Sequence, residues 1–136
     1  MKRFAGGILL SENKILLGLR QPHRENYPNR WDIIGGHCLD GELYSSAMIR
    51  ELREELGIVV TAFDEFMIID KSPEFAMKLF LVTAWIGNPV NNAEEEHSKI
   101  EWFTIAEAKE LIFFSQDYIT MLDIINKRIV SLQERK

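Results

Sequence analysis

GHCLDGELYSSAMIRELREELGI, residues Gly36 to Ile58, carries the strongest pattern in the chain. Tyr44, Met48, Leu52 and Leu56 recur every four residues, the spacing of an apolar stripe on an α-helix, and predict a helix over 43–56. Gly57, just past the last apolar position, is placed to stop it. Within that helix Glu51, Glu54 and Glu55 stand at i, i+3 and i+4, which gathers three carboxylates in one arc of the surface. Met48, Ile49, Leu52 and Leu56 fall on a separate arc and are expected to face the core. Like charges at such spacing destabilise a helix by roughly 0.2–0.5 kcal/mol per pair. Hard cations with oxygen ligands would reverse that penalty. Arg50, one turn before Glu54, is placed to orient it or to neutralise part of the charge.

The flanks of the helix have physical roles of their own. Gly35-Gly36 is expected to let the backbone turn tightly and approach a phosphate or metal. Gly41 supports the turn into the helix, and Glu42, near its start, suits the positive end of the helix dipole and can pair with Arg50. Upstream, apolar runs at 3–10 and 14–20 around Ser11-Glu12-Asn13 read as a hairpin. A polar loop follows over 21–30, then a short strand, Trp31-Asp32-Ile33-Ile34. Downstream, β-rich runs at 58–70 and 76–87 are joined by a turn at 71–74. A polar loop spans 88–99, a short strand 100–103, and helical patterns cover 105–112 and 116–133. Without repeats or linkers, residues 1–136 read as a single α/β domain, a sheet covered by helices on both faces.

Composition narrows the partners. The 136 residues carry a net charge of −5 and an estimated pI of 5.2, which argues against a nucleic-acid polymer as ligand, since such a partner demands a basic face. A small phosphorylated ligand remains compatible if divalent cations stand between carboxylates and phosphate oxygens. Cys38 is the single cysteine, so no intrachain disulfide forms, and it is expected to be a small buried apolar residue. No apolar run reaches membrane-spanning length, and the apolar start turns polar at Ser11-Glu12-Asn13-Lys14, too early for a secretory leader. The expectation is a cytoplasmic protein with no membrane partner.

Gly36, five residues, Glu42, seven residues, then Arg50-Glu51-Leu52-Arg53-Glu54-Glu55-Leu56-Gly57-Ile58 matches the Nudix box without a gap. With seven fixed identities, at about one in fifteen each, a chance match is on the order of 10⁻⁸ at any given start. The chain resembles MutT-like Nudix hydrolases, and the likeness extends to the two-strand opening, the Trp31 strand into Gly-Gly and the Trp102-Phe103 strand before a C-terminal helix. That resemblance implies the Nudix fold, an α/β/α sandwich with a mixed β-sheet. It implies a Mg²⁺-dependent (or Mn²⁺-dependent) hydrolase of a phosphoanhydride bond in a nucleoside-diphosphate-linked substrate. Glu51, Glu54 and Glu55 would bind the metal with the carbonyl of Gly35, and Glu51 and Glu54 would be catalytic, Glu51 as the base proposed to activate water in some members. Glu96, six residues before Trp102, best matches a further metal-binding acid recruited from a loop. Arg20 would approach the substrate phosphates. Two positions depart from the common pattern: Ile34 stands where proline is frequent, and Leu39 replaces a frequent acid, with Asp40 following.

For substrate, the short chain favours a (d)NTP pyrophosphohydrolase, with oxidised nucleotides among its candidates; the alternative is an ADP-ribose or nucleotide-sugar pyrophosphatase. Pro73, fifteen residues after the box, is similar to a proline of ADP-ribose-cleaving members, although a turn proline explains it more simply. Base recognition is expected from 112–118, where Gln116 or Asp117 could meet a base edge. A non-catalytic nucleotide-sensing Nudix module would typically have lost box carboxylates that this chain keeps. A prenyl diphosphate isomerase would need a catalytic cysteine outside the box region.

Overall fold

The computed structural model describes residues 2–25, 27–72, 74–113 and 117–134. Two strands, β1 (Lys2–Ser11) and β2 (Lys14–Arg20), open the chain as the expected hairpin. Leu10 pairs with Ile15 and Ser11 with Lys14, leaving a two-residue loop in which Glu12 and Asn13 both have positive φ, 51° and 64°. That is the turn geometry whose twist matches a right-handed hairpin.

The Trp31 segment divides into β3 (Trp31–Asp32), which pairs with β2, and β4 (Ile34–His37), which pairs with β1. Gly35 and Gly36 are therefore extended strand residues rather than a tight turn. Helix α1 (Tyr44–Leu56) follows, one residue shorter than expected, with Leu43 as its N-cap and Gly57 as a left-handed C-cap at φ 70°. Then come β5 (Val59–Ser72) and β6 (Phe75–Ile86), a long antiparallel ribbon. β6 runs parallel to β1 from the Lys2–Phe75 pair to Leu9–Val82, which makes the sheet mixed.

Strand β7 (His97–Thr104) is longer than its apolar signature, because the backbone of Lys99 and His97 continues the ladder with Leu19 and Arg20 of β2. Helix α2 is shorter, Ile105–Lys109, started by a capping box between Thr104 and Glu107. It cannot extend to 112, because there the chain turns to bond with β3: the Trp31 N–H donates to the Ile112 carbonyl at 2.9 Å, and Trp31 bridges to Phe113. Helix α3 (Asp117–Glu134) closes the fold.

Alternation along the strands divides the interior into two layers. Ile8, Ile15, Leu17, Leu79 and Leu81 join Tyr118, Met121, Leu122 and Ile125 of α3 in one cluster. Their sequence neighbours Leu9, Leu16, Phe80 and Val82 join Met48, Leu52 and Leu56 of α1 in the other. Each fully buried side chain of this size contributes about 1.5–3 kcal/mol, so the sheet is held between α1 on one face and α2 and α3 on the other. The chain is an α/β/α sandwich with a mixed sheet, the architecture that the resemblance implies. No helix among the described residues is long and apolar enough to cross a membrane.

Candidate active site

The apolar stripe of α1 buries Met48, Leu52 and Leu56 completely or nearly so, with Ile49 half-buried, and this fixes where its carboxylates point. They do not share one solvated arc. The Glu54 side chain is 58% exposed and that of Glu51 only 15%, while Glu55 is buried. The stripe wraps far enough around the helix to draw Glu55 inward beside Leu52 and Leu56.

Arg50 organises the approach to these acids. Its Nε and Nη2 donate to the two carboxylate oxygens of Glu42 at 2.9 and 3.0 Å, a bidentate pair. Nη2 also donates to the His37 carbonyl, and Nη1 reaches Glu51 at 2.9 Å and Glu54 at 3.4 Å. The Arg50 guanidinium holds the Glu42 carboxyl down at about 2, helped by the Leu39 N–H. Glu42 lies ahead of the first helical turn, which holds no acid, so its role is this clamp and not the helix dipole. Arg3 completes the support by donating to the carbonyls of Glu42 and Leu39 at 2.8 and 3.0 Å. Cys38, beside this loop, is half-buried rather than buried.

The glycines of β4 serve close approach. A Cβ on Gly35 would stand 2.1 Å from the Ala5 carbonyl oxygen of β1, and one on Gly36 would stand 2.8 Å from both carboxylate oxygens of Glu51. Glu51 thus occupies the space a side chain at 36 would take. Burial raises its carboxyl, against the lowering effect of Arg50.

The opposite wall comes from the loop before β7. Its position follows from the carbonyls that the end of α1 leaves without helical partners: the Asn92 N–H donates to the Glu55 carbonyl at 2.8 Å and the Val90 N–H to that of Leu56 at 3.0 Å. Asn91 shapes the loop by accepting from the Ala93 N–H and donating from Nδ2 to the His97 carbonyl at 2.8 Å. Gln21 ties it to β2 through its N–H to the Glu96 carbonyl at 3.0 Å and its side-chain amide to the Glu94 carbonyl at 2.7 Å.

Between the walls lies a cleft of about 610 Å³, lined on the helix side by Glu51, Glu54 and Glu55 and on the loop side by residues 91–96. Six of its described lining residues are glutamates and none is cationic. The negative end of the α1 dipole adds to this field. Glu55 and Glu96, distant in sequence, meet across the cleft. Desolvation first, and then hydrogen bonding and charge repulsion with Glu96, push the Glu55 carboxyl far above the ordinary carboxylate range. Its Oε2 is buried with no hydrogen-bond partner. A buried acceptor without a donor, among several carboxylates, suits a divalent cation with oxygen ligands, so the residues fit such an ion.

Arg20 is the ladder partner of His97, next to the loop that walls the cleft, but it is not among the described residues that line it. It bonds Asp32 Oδ2 at 3.1 Å and the Tyr27 carbonyl at 3.2 Å. Asp32 in turn accepts from the Tyr118 hydroxyl and from the Ile33 N–H, and desolvation raises its carboxyl. Gly35 lies next to Gly36 on the strand under Glu51. Asp117 is the first residue of α3, whereas Gln116 and Pro73 lie outside the described residues. Asn91 and Gln21 have no place in the sequence-based set. The Asn-Asn-Ala run before the acids is a turn signal that could have revealed Asn91; Gln21 and Arg3 carry no local signal.

Known proteins share both sequence and shape with this chain. A family model described as NUDIX domain matches residues 1–123. The uncharacterized Nudix hydrolase YvcI of Bacillus subtilis is 29% identical over 82% of this chain and 71% of its own length. The CTP pyrophosphohydrolase of Escherichia coli is 28% identical over 79% of each chain, and the 8-oxo-dGTP diphosphatase of the same organism 29% identical over 76% of this chain and 80% of its own. Matches to a Listeria innocua Nudix hydrolase and the ADP-ribose pyrophosphatase of Mycobacterium tuberculosis span 50% and 45% of those proteins. Among solved structures, a MutT from a study of the Aliivibrio salmonicida and Vibrio cholerae proteins superposes with a TM-score of 0.80 at 27% identity, over 93% of this chain and 98% of that one. The family model covers most of the chain and the fold agrees with it, so the chain belongs to the Nudix hydrolase family.

Proposed function

We propose that this Nudix hydrolase is a nucleoside triphosphate pyrophosphohydrolase, converting a (d)NTP and water to the monophosphate and pyrophosphate, with oxidised nucleotides among its substrates. The observation that carries the reading is the cleft itself: six glutamates and no cationic lining residue among those described. Such a cleft repels a bare triphosphate and accepts one only together with cations. Glu51, Glu54, Glu55 and Glu96, with the Gly35 carbonyl, are the proposed Mg²⁺ or Mn²⁺ ligands. When bound, these ions neutralise phosphate charge and lower the pKa of coordinated water.

The chain's own groups supply the rest. Arg50 and Gly36 hold the Glu51 carboxylate in place, and Glu51 is the proposed acceptor of the proton from the attacking water. Glu54, the most exposed of the helix acids, faces the open side of the cleft, where a triphosphate would enter. Arg20, whose Nη1 bonds Asp32, is the proposed contact to the substrate phosphates.

The triphosphate reading is favoured over ADP-ribose by coverage. The Escherichia coli relatives named for CTP and 8-oxo-dGTP match over 79% and 76% of this chain, and the one named for ADP-ribose over 63%. The test is a Mg²⁺-dependent hydrolysis screen over (d)NTPs, 8-oxo-dGTP, ADP-ribose and nucleotide sugars, with both products identified. Monophosphate with pyrophosphate is the expected result. Monophosphate with a sugar phosphate would replace this reading with the nucleotide-sugar branch.

A further inference from the structure

Among the described residues, Glu55, Glu96 and His97 each place a possible ligand atom within 4.8 Å of the other two. The two carboxylates already belong to the proposed cation set, but the imidazole does not. His97 is only 4% exposed, and its Nδ1 is buried without a hydrogen-bond partner. The Glu55 Oε2 on the neighbouring wall is in the same condition. Leaving such an atom unsatisfied costs about 1–3 kcal/mol, and folded proteins leave few buried polar atoms without a partner. Both unpartnered atoms belong to residues of this one cluster, and a carboxylate oxygen and an imidazole nitrogen are both able to give an electron pair to a cation.

The backbone is built to hold the ring there. His97 is the first residue of β7, paired to Arg20 of β2, and its carbonyl is held by Asn91 Nδ2. Gly18 of β2 leaves the space: a Cβ there would lie 2.8 Å from Nδ1 and 2.9 Å from Cγ of the ring.

We propose that His97 is a nitrogen ligand to the divalent cation held by Glu55 and Glu96, which makes this a mixed oxygen and nitrogen site. The inference rests on the reading of those two glutamates as cation ligands. Its chemical consequence is selectivity. Imidazole suits Mn²⁺ only slightly, and Co²⁺ and Zn²⁺ strongly, whereas Mg²⁺ prefers oxygen. The site should therefore discriminate among metals more sharply than carboxylates alone would.

The probe is Mn²⁺ alone, added to the full chain, with electron spin-echo modulation read for directly bound nitrogen-14. The expected result is imidazole modulation in the wild type and its loss in His97→Gln, whose Co²⁺ affinity falls by about tenfold or more while its Mg²⁺ affinity moves by less than about threefold. Gly18→Ala, which crowds the ring without removing it, should weaken the same signal. A wild-type spectrum without bound nitrogen, or one unchanged in His97→Gln, overturns the proposal; the wild-type spectrum decides even if the variant fails to fold. Hydrolysis with an all-oxygen spectrum overturns this inference alone. A nitrogen signal without hydrolysis of any nucleotide supports it and overturns the function proposed above.

Discussion

The Glu51 carboxylate lies against the α-carbon of Gly36, so closely that a methyl group there would come within 2.8 Å of both its oxygens. A box glycine and a box glutamate fifteen residues apart are thus two halves of one fitted contact. Gly36→Ala should displace the carboxylate by a fraction of an ångström or more. Since a misplacement of about 1 Å can cost roughly a hundredfold in rate, turnover is expected to fall by about that factor while far-UV circular dichroism stays unchanged. Wild-type turnover in this variant would show that the position of Glu51 does not matter.

The glutamates of α1 should separate by burial. Glu51→Gln and Glu54→Gln should lower kcat by orders of magnitude with little change in melting temperature. Glu55→Gln should also lose activity, yet raise the melting temperature of metal-free protein, because it removes a buried carboxyl that lies beside Glu96. A lower metal-free melting temperature for Glu55→Gln would contradict this account.

Acid should loosen the clamp below the box. The Arg50 guanidinium lowers the Glu42 carboxyl from 4.5 to about 2. A depressed carboxyl stabilises the fold fully above its unfolded value and loses that contribution as pH falls through the folded one. The difference in urea midpoint between wild type and Glu42→Gln should therefore be constant from pH 7 to about 5 and shrink between 4.5 and 2. A difference that is flat across the whole range would mean that the pair contributes nothing.

Tyr118 fastens α3 to the sheet by donating its hydroxyl to the buried Asp32 carboxylate. Tyr118→Phe leaves that oxygen with one donor fewer, and a buried acceptor that loses a partner costs about 1–3 kcal/mol. Urea unfolding should report a loss of this size with an unchanged m-value. A loss below about 0.5 kcal/mol would place the stabilisation in the remaining donors, Arg20 and the Ile33 N–H.

What could be read without coordinates was local or periodic. The four-residue repeat of Tyr44, Met48, Leu52 and Leu56 specifies α1, and Gly57 its end. The polar interruption at Glu12-Asn13 specifies the first hairpin. The spacing of Gly36, Glu42 and the Arg50–Gly57 run specifies the family. These are legible because a helix or a tight turn is stabilised by residues a few positions apart, so its cause lies within the same short window of sequence.

Contacts that join distant segments were decided only in three dimensions. β7 begins at His97 because its backbone found β2, and α2 stops at Lys109 because the Ile112 carbonyl was claimed by Trp31. Glu55, one of three similar glutamates in sequence, became the buried one by the pitch of the helix on the sheet, and it meets Glu96 because loop amides capped the carbonyls at the end of α1. The physical reason is common to all of them. Backbone hydrogen bonds and desolvation act between whichever groups the fold brings together, and neither depends on nearness along the chain.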